Sequence, residues 1–95
     1  MPTFAVHYTY SEATVPGRDE YRPEHRAWLA DQADAGVMLS SGPYGDGSGA
    51  LLLFRAESET ALKDLLGQDP FARENLVEDI RVVEWTPTIG ETFSA

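Results

Sequence analysis

Apolar and aromatic residues alternate near the start of the chain. Phe4, Val6, Tyr8 and Tyr10 fall on one face of an extended segment and Ala5, His7 and Thr9 on the other, which predicts a first strand over Phe4–Tyr10. The polar stretch Ser11–Tyr21, with Pro16-Gly17 inside it, shows no such period and reads as a mobile loop. Arg22-Pro23-Glu24-His25 then opens a helix, because proline is tolerated at the first helical position and Glu24 suits the positive end of the helix dipole. Ala27, Trp28, Leu29, Ala30 and Ala33 continue it, and Gly36 ends it. Val37–Ser41 is expected to be a short strand, and the glycine-rich Gly42–Gly49 a second mobile loop. The third strand, Ala50–Ala56, is apolar on both faces, so both faces should be covered. Ser58 is placed to cap a second helix, Glu59–Leu66, whose Ala61, Leu62, Leu65 and Leu66 have core spacing. Gly67–Phe71 stops that helix and starts a turn or short helix through Leu76. Asp79–Trp85 is the fourth strand and Thr86–Ala95 a tail.

The order strand, helix, strand, strand, helix, strand predicts an α+β, ferredoxin-like βαββαβ fold. Its four-stranded antiparallel sheet carries both helices on one face. Leu51 and Leu53, or the set opposite them, then need a dry neighbour, and a second copy of the chain is the simplest one. This predicts a sheet-to-sheet homodimer.

Composition narrows the functional classes. Ninety-five residues make one domain, with its core over about 4–85. No cysteine is present, so disulfides, thiolate nucleophiles and cysteine-held metals are excluded. Seven Lys and Arg against sixteen Asp and Glu, a net charge of −9, disfavour nucleic acid or an anionic membrane as partner. The longest apolar run, Ala50–Phe54, is far short of a membrane span, and the N-terminus lacks the pattern of a signal peptide. The cytoplasm is the expected compartment. Only two histidines, His7 and His25, are available and neither has metal-ligand spacing, so no metal or cofactor is expected.

His25 is the first candidate for chemistry, since an imidazole is the usual general acid or base near neutral pH. Arg22 at i−3 and Leu29 at i+4 share its helix face. Asp69 is its candidate partner, because a carboxylate fixes an imidazole's tautomer and stabilises the imidazolium. The same Asp69 also reads as a plain cap for a turn opening at Pro70, and His25 as a partly exposed helix residue. Arg22 could bind a substrate carboxylate or enolate, or form a surface salt bridge. Ser41 and Tyr44 flank Gly42-Pro43 and are either hydrogen-bond donors at the pocket mouth or ordinary turn residues. His7 faces a cavity or the subunit interface, or is a satisfied structural histidine. Trp28 and Trp85 are read as packing residues, with an aromatic pocket wall as the alternative.

The run Arg22-Pro23-Glu24-His25, Leu29, Ala35–Leu39 and Ser41-Gly42-Pro43 resembles the first half of YciI-like proteins, the YCII-related domain. Ser58–Leu66, Asp69-Pro70-Phe71 and Val82–Trp85 resemble its second half. The resemblance spans about Phe4 to Trp85. It implies a dimeric α/β barrel and a histidine–aspartate pair in a pocket, here His25 and Asp69. Related barrels include muconolactone isomerases and a dehydrochlorinase. The implied activity is therefore proton transfer on a small cyclic or aromatic compound, of isomerase or lyase type, without a cofactor. A non-catalytic module that binds a small ligand is the alternative. A haem-degrading or antibiotic-type monooxygenase barrel shares the fold but lies further from these motifs.

Overall fold

The alternation of the first segment becomes strand β1 (Thr3–Thr9), at the heart of a four-stranded antiparallel sheet. The computed structural model describes residues 1–90, so the last five residues of the expected tail lie outside the described residues. In chain order, β1 is followed by a 3₁₀ turn (Glu12–Thr14), helix α1 (Val15–Asp34), strands β2 (Met38–Pro43) and β3 (Gly49–Arg55), helices α2 (Glu59–Leu66) and α3 (Pro70–Arg73), and strand β4 (Asp79–Glu84). The sheet order β2-β3-β1-β4, antiparallel throughout, is the ferredoxin-like arrangement.

Register sets the two faces. Phe4 lies opposite Phe54, Val6 opposite Leu52 and Tyr8 opposite Ala50, while Ile80 and Val82 of β4 flank the same row. This face packs under the helices: Val6, Phe54 and Leu62 are completely buried. Each such side chain contributes about 1.5–3 kcal/mol by leaving water. In β2 the register shifts between Met38 and Ser40, leaving Leu39 as an extra residue. The bulge re-aims the rest of the strand, so that Ser41 (opposite Leu52) and Pro43 (opposite Ala50) come onto the helix side of the sheet. The other face carries Ala5, His7, Leu51, Leu53 and Val83, with no helix among the described residues over it.

Two expectations about loops are corrected. Ser11–Tyr21 is not a mobile loop: the 3₁₀ turn and the first turns of α1 occupy it, and the helix begins eight residues before Pro23. Pro16 occupies the first turn, where a missing N–H loses nothing, while Pro23 sits inside the helix. Gly17 lies close under Leu76, whose side-chain tip would have to shift to admit a β-carbon there. Arg18, nearly buried, ties the segment down by donating from Nη1 to the carbonyls of Ser11 and Leu76 and to the Thr14 hydroxyl. Its guanidinium also lies 4.3 Å from the centre of the Tyr10 ring, a cation–π contact. The glycine-rich loop shrinks to a tight turn, since Gly42, Pro43 and Gly49 belong to strands. Tyr44 N–H donates to Gly49 O and Gly47 N–H to Tyr44 O. At the far end of α1, Gly36 adopts φ +76°, the left-handed terminator expected of it.

Candidate active site

Ser58 caps α2 as expected, its hydroxyl accepting from Ala61 N–H at 3.1 Å. Two residues beyond Gly67, Asp69 caps α3, with one carboxylate oxygen, Oδ1, accepting from Phe71 N–H at 3.0 Å. The same oxygen meets His25 Nδ1 at 2.7 Å, although the two residues are 44 positions apart. The other oxygen, Oδ2, accepts from the Tyr8 hydroxyl at 2.8 Å. Cap and partner, alternatives on sequence grounds, are thus one carboxylate doing both. It can do so because an ionised carboxyl group offers about four acceptor positions.

This network fixes the imidazole. An ionised carboxylate only accepts, so Nδ1–H donates to Asp69, and in the neutral imidazole this tautomer leaves Nε2 as the acceptor. The ring also stacks on Phe71, with centroids 3.8 Å apart and planes within 2°. Asp69 is fully buried and the His25 side chain is 11% exposed, so the pair is nearly dry while the imidazole still reaches a cavity. Tyr8 responds to the same surroundings. Burial, then the charge of Asp69 and the hydrogen bond to it, pushes the phenol far above its ordinary range. Tyr8 is therefore a fixed donor. Tyr10 is pushed up to about 12, mainly by burial and next by Asp69, with Arg18 and Arg22 opposing.

The cavity, about 270 Å³, lies between α1, α3 and the helix side of the sheet. Its wall includes Tyr10, Arg22, His25, Arg26, Ser41 and Phe71. The structure therefore brings His25, Asp69, Arg22 and Ser41 to one place. It puts His7 and Tyr44 elsewhere: His7 points to the open face, where its Nδ1 lies 2.5 Å from the Tyr44 hydroxyl. Tyr44 lines a separate hollow there with Leu51 and Leu53. Trp28 packs against Phe54, and its buried indole N–H has no hydrogen-bond partner among the described residues. Among the described residues no group of three His, Asp or Glu side chains converges as a metal site would require.

Four contributors went unread in the sequence: Tyr8, Tyr10, Phe71 and Arg26. Tyr8 carried a usable signal, because it shares the Phe4–Val6 face and a buried phenol needs an acceptor. Arg26 carried one too, lying one helical turn beyond Arg22.

A ferredoxin-like sheet with a histidine–aspartate pair under its helices defines a class of small α+β proteins, and the comparisons specify it. Residues 2–86 match the YCII-related domain, and the chain belongs to that family. No curated protein matches it. Among solved structures it is similar to 5-chloro-2-hydroxyhydroquinone dehydrochlorinase (TftG) from Burkholderia phenoliruptrix AC1100, in complex with 2,5-dihydroxybenzoquinone. That match has 22% identity and a TM-score of 0.76, covering 88% of this chain and 93% of that one. It is also similar to Rv0793 from Mycobacterium tuberculosis, with 16% identity, a TM-score of 0.56 and coverage of 95% and 98%. PA3566 from Pseudomonas aeruginosa matches with 15% identity, a TM-score of 0.56 and coverage of 92% and 93%. At these identities the likeness is one of fold. No helix among the described residues is long and apolar enough to cross a membrane.

Proposed function

We propose that the chain is a small cofactor-independent enzyme that moves a proton on a cyclic or aromatic compound, with His25 as general base and acid and Asp69 as its orienting partner. The observation that carries this reading is the 2.7 Å contact between His25 Nδ1 and the wholly buried Asp69 carboxylate. Nε2 would take a proton from a carbon next to a carbonyl. The C–H electron pair shifts toward the carbonyl oxygen, giving an enolate, and the imidazolium that forms is stabilised by Asp69. Returning the proton at another carbon completes an isomerisation. Expelling a leaving group such as chloride completes an elimination, with the proton retained on His25 until solvent removes it. Arg22 and the Ser41 hydroxyl, on the same wall as His25, suit the developing oxyanion. His7 and Tyr44, across the sheet, take no part in this step. The fold's likeness to a dehydrochlorinase that holds a dihydroxybenzoquinone supports the substrate class by analogy. The working unit in this proposal is a cytoplasmic homodimer joined through the open sheet face.

The test monitors proton exchange and chloride release by NMR in D₂O, on a panel of cyclic β-dicarbonyl compounds and chlorinated hydroxyquinones. Wild type should turn over at least one class, and His25→Ala should slow it by about 10²–10⁴-fold. Asp69→Asn should cost less, about tenfold. The amide oxygen can still accept from Phe71 and His25, but the charge that stabilises the imidazolium is gone. Equal rates for wild type and His25→Ala, or binding with no exchange on any compound, would leave a ligand-binding module instead.

A further inference from the structure

Arg22 and Arg26 stand one helical turn apart on α1, and both line the cavity that holds His25. Like charges at this spacing repel and weaken a helix, so two arginines here need a reason. The chain as a whole offers none, since its net charge is −9. No Asp or Glu side chain lines the cavity wall among the described residues. Asp69 is committed to Tyr8, His25 and Phe71. Arg22 bridges to Asp19 at 2.6 Å, but both side chains are well exposed, and such a pair is weak. Arg26 makes no ion pair or hydrogen bond among the described residues. The rest of the wall is largely apolar, with Leu29, Leu52 and Phe71 offering flat or aliphatic surface. A volume of about 270 Å³ is at the small end for ligand cavities, enough for a single ring.

We propose that the natural ligand is a single-ring carboxylate and that Arg26 is the residue selecting it. The guanidinium's planar fork matches a carboxylate in two parallel hydrogen bonds, while the ring packs on the apolar wall. This rests on the cavity being the substrate site, as proposed above, and names the class of substrate. Arg26 binds the charge that does not react. Arg22, on the other side of His25 along the helix, remains available to the developing enolate.

The experiment reads equilibrium binding, with no turnover required. Benzoate and its neutral analogue benzamide are titrated into ¹⁵N-labelled full-length protein and followed by amide and arginine side-chain shifts. Benzoate should bind at least about tenfold more tightly than benzamide and weaken as salt is added. Arg26→Gln should remove about tenfold of the benzoate affinity and leave benzamide unchanged, and Arg26→Lys should fall between, keeping charge without the fork. Arg26 is exposed, so the amide spectrum of each variant should match wild type away from α1. Benzamide binding as well as benzoate, an Arg26→Gln variant with undiminished benzoate affinity, or no binding of either probe overturns the proposal. Benzoate selectivity through Arg26 combined with a His25→Ala variant as active as wild type would overturn the proton-transfer reading and leave this one standing.

Discussion

At the residue scale, the site is organised by what each polar group must do once water is removed. Asp69 is completely buried, so each of its oxygens needs donors, and Tyr8, His25 and Phe71 supply them. The same burial makes the protein sensitive to alkali. Tyr8 and Tyr10 titrate above their ordinary value of about 10 in the folded chain, Tyr10 at about 12 and Tyr8 beyond it. Above pH 10 the unfolded chain has released these protons while the folded chain still holds them. The unfolded state then binds fewer protons, and stability falls as pH rises. Urea midpoints should therefore decline from about pH 10 toward 12. Tyr10→Phe should make that decline shallower. An unchanged slope in Tyr10→Phe would mean that this phenol ionises as freely folded as unfolded. Little of this network was legible in the sequence. His25 and Asp69 could be paired because their flanking motifs resemble a family that pairs them. From the residues alone, Asp69 read more readily as a cap than as a partner, and nothing in the local pattern shows that one carboxylate serves both purposes.

At the element scale, the strands, α2 and its Ser58 cap were readable because their buried positions are apolar and periodic. The first half of α1 was not, and the reason is physical. The residues that α1 buries most deeply are Arg18 and His25, both polar, so no apolar stripe marks its first half. Pro23 adds to the disguise by resembling a helix start when it is the ninth residue of Val15–Asp34. An interior proline removes the hydrogen bond to the carbonyl four residues back, here that of Asp19, and crowds it. Pro23→Ala should restore that bond and raise stability, by up to about 3 kcal/mol before the alanine's greater freedom in the unfolded chain is offset. Had the helix begun at Pro23, the same substitution would be neutral or harmful. Chemical denaturation of Pro23→Ala against wild type decides between the two. Slow amide exchange over residues 18–22 in the wild type would independently place them in the helix.

At the scale of the whole molecule, the unmet demand is the open face of the sheet. Leu51 and Leu53 lie there beside Ala5, and Val83 on β4 is 37% exposed, with Trp85 just beyond the strand at 41%. Leu53 is only 7% exposed in a single copy, so the uncovered apolar surface centres on Leu51, Val83 and Trp85 and is smaller than β3 alone suggested. Two copies placed sheet to sheet would cover it. An interface that holds permanently commonly buries about 2,000 Å² or more in total. Charge works against the pairing, since each copy carries −9 and the repulsion acts over about a Debye length, roughly 10 Å at 0.1 M salt. Light scattering on wild type at micromolar concentration should give twice the 10.5 kDa chain mass, and added salt should tighten the dimer by screening that repulsion. Val83→Glu puts a charge onto this face at a position already open to solvent, so the monomer should fold as before. It should shift the equilibrium to monomer, because an unpaired carboxylate would have to be buried between the sheets. If wild type scatters as a monomer, or if Val83→Glu remains fully dimeric, the open sheet face is not where two copies meet.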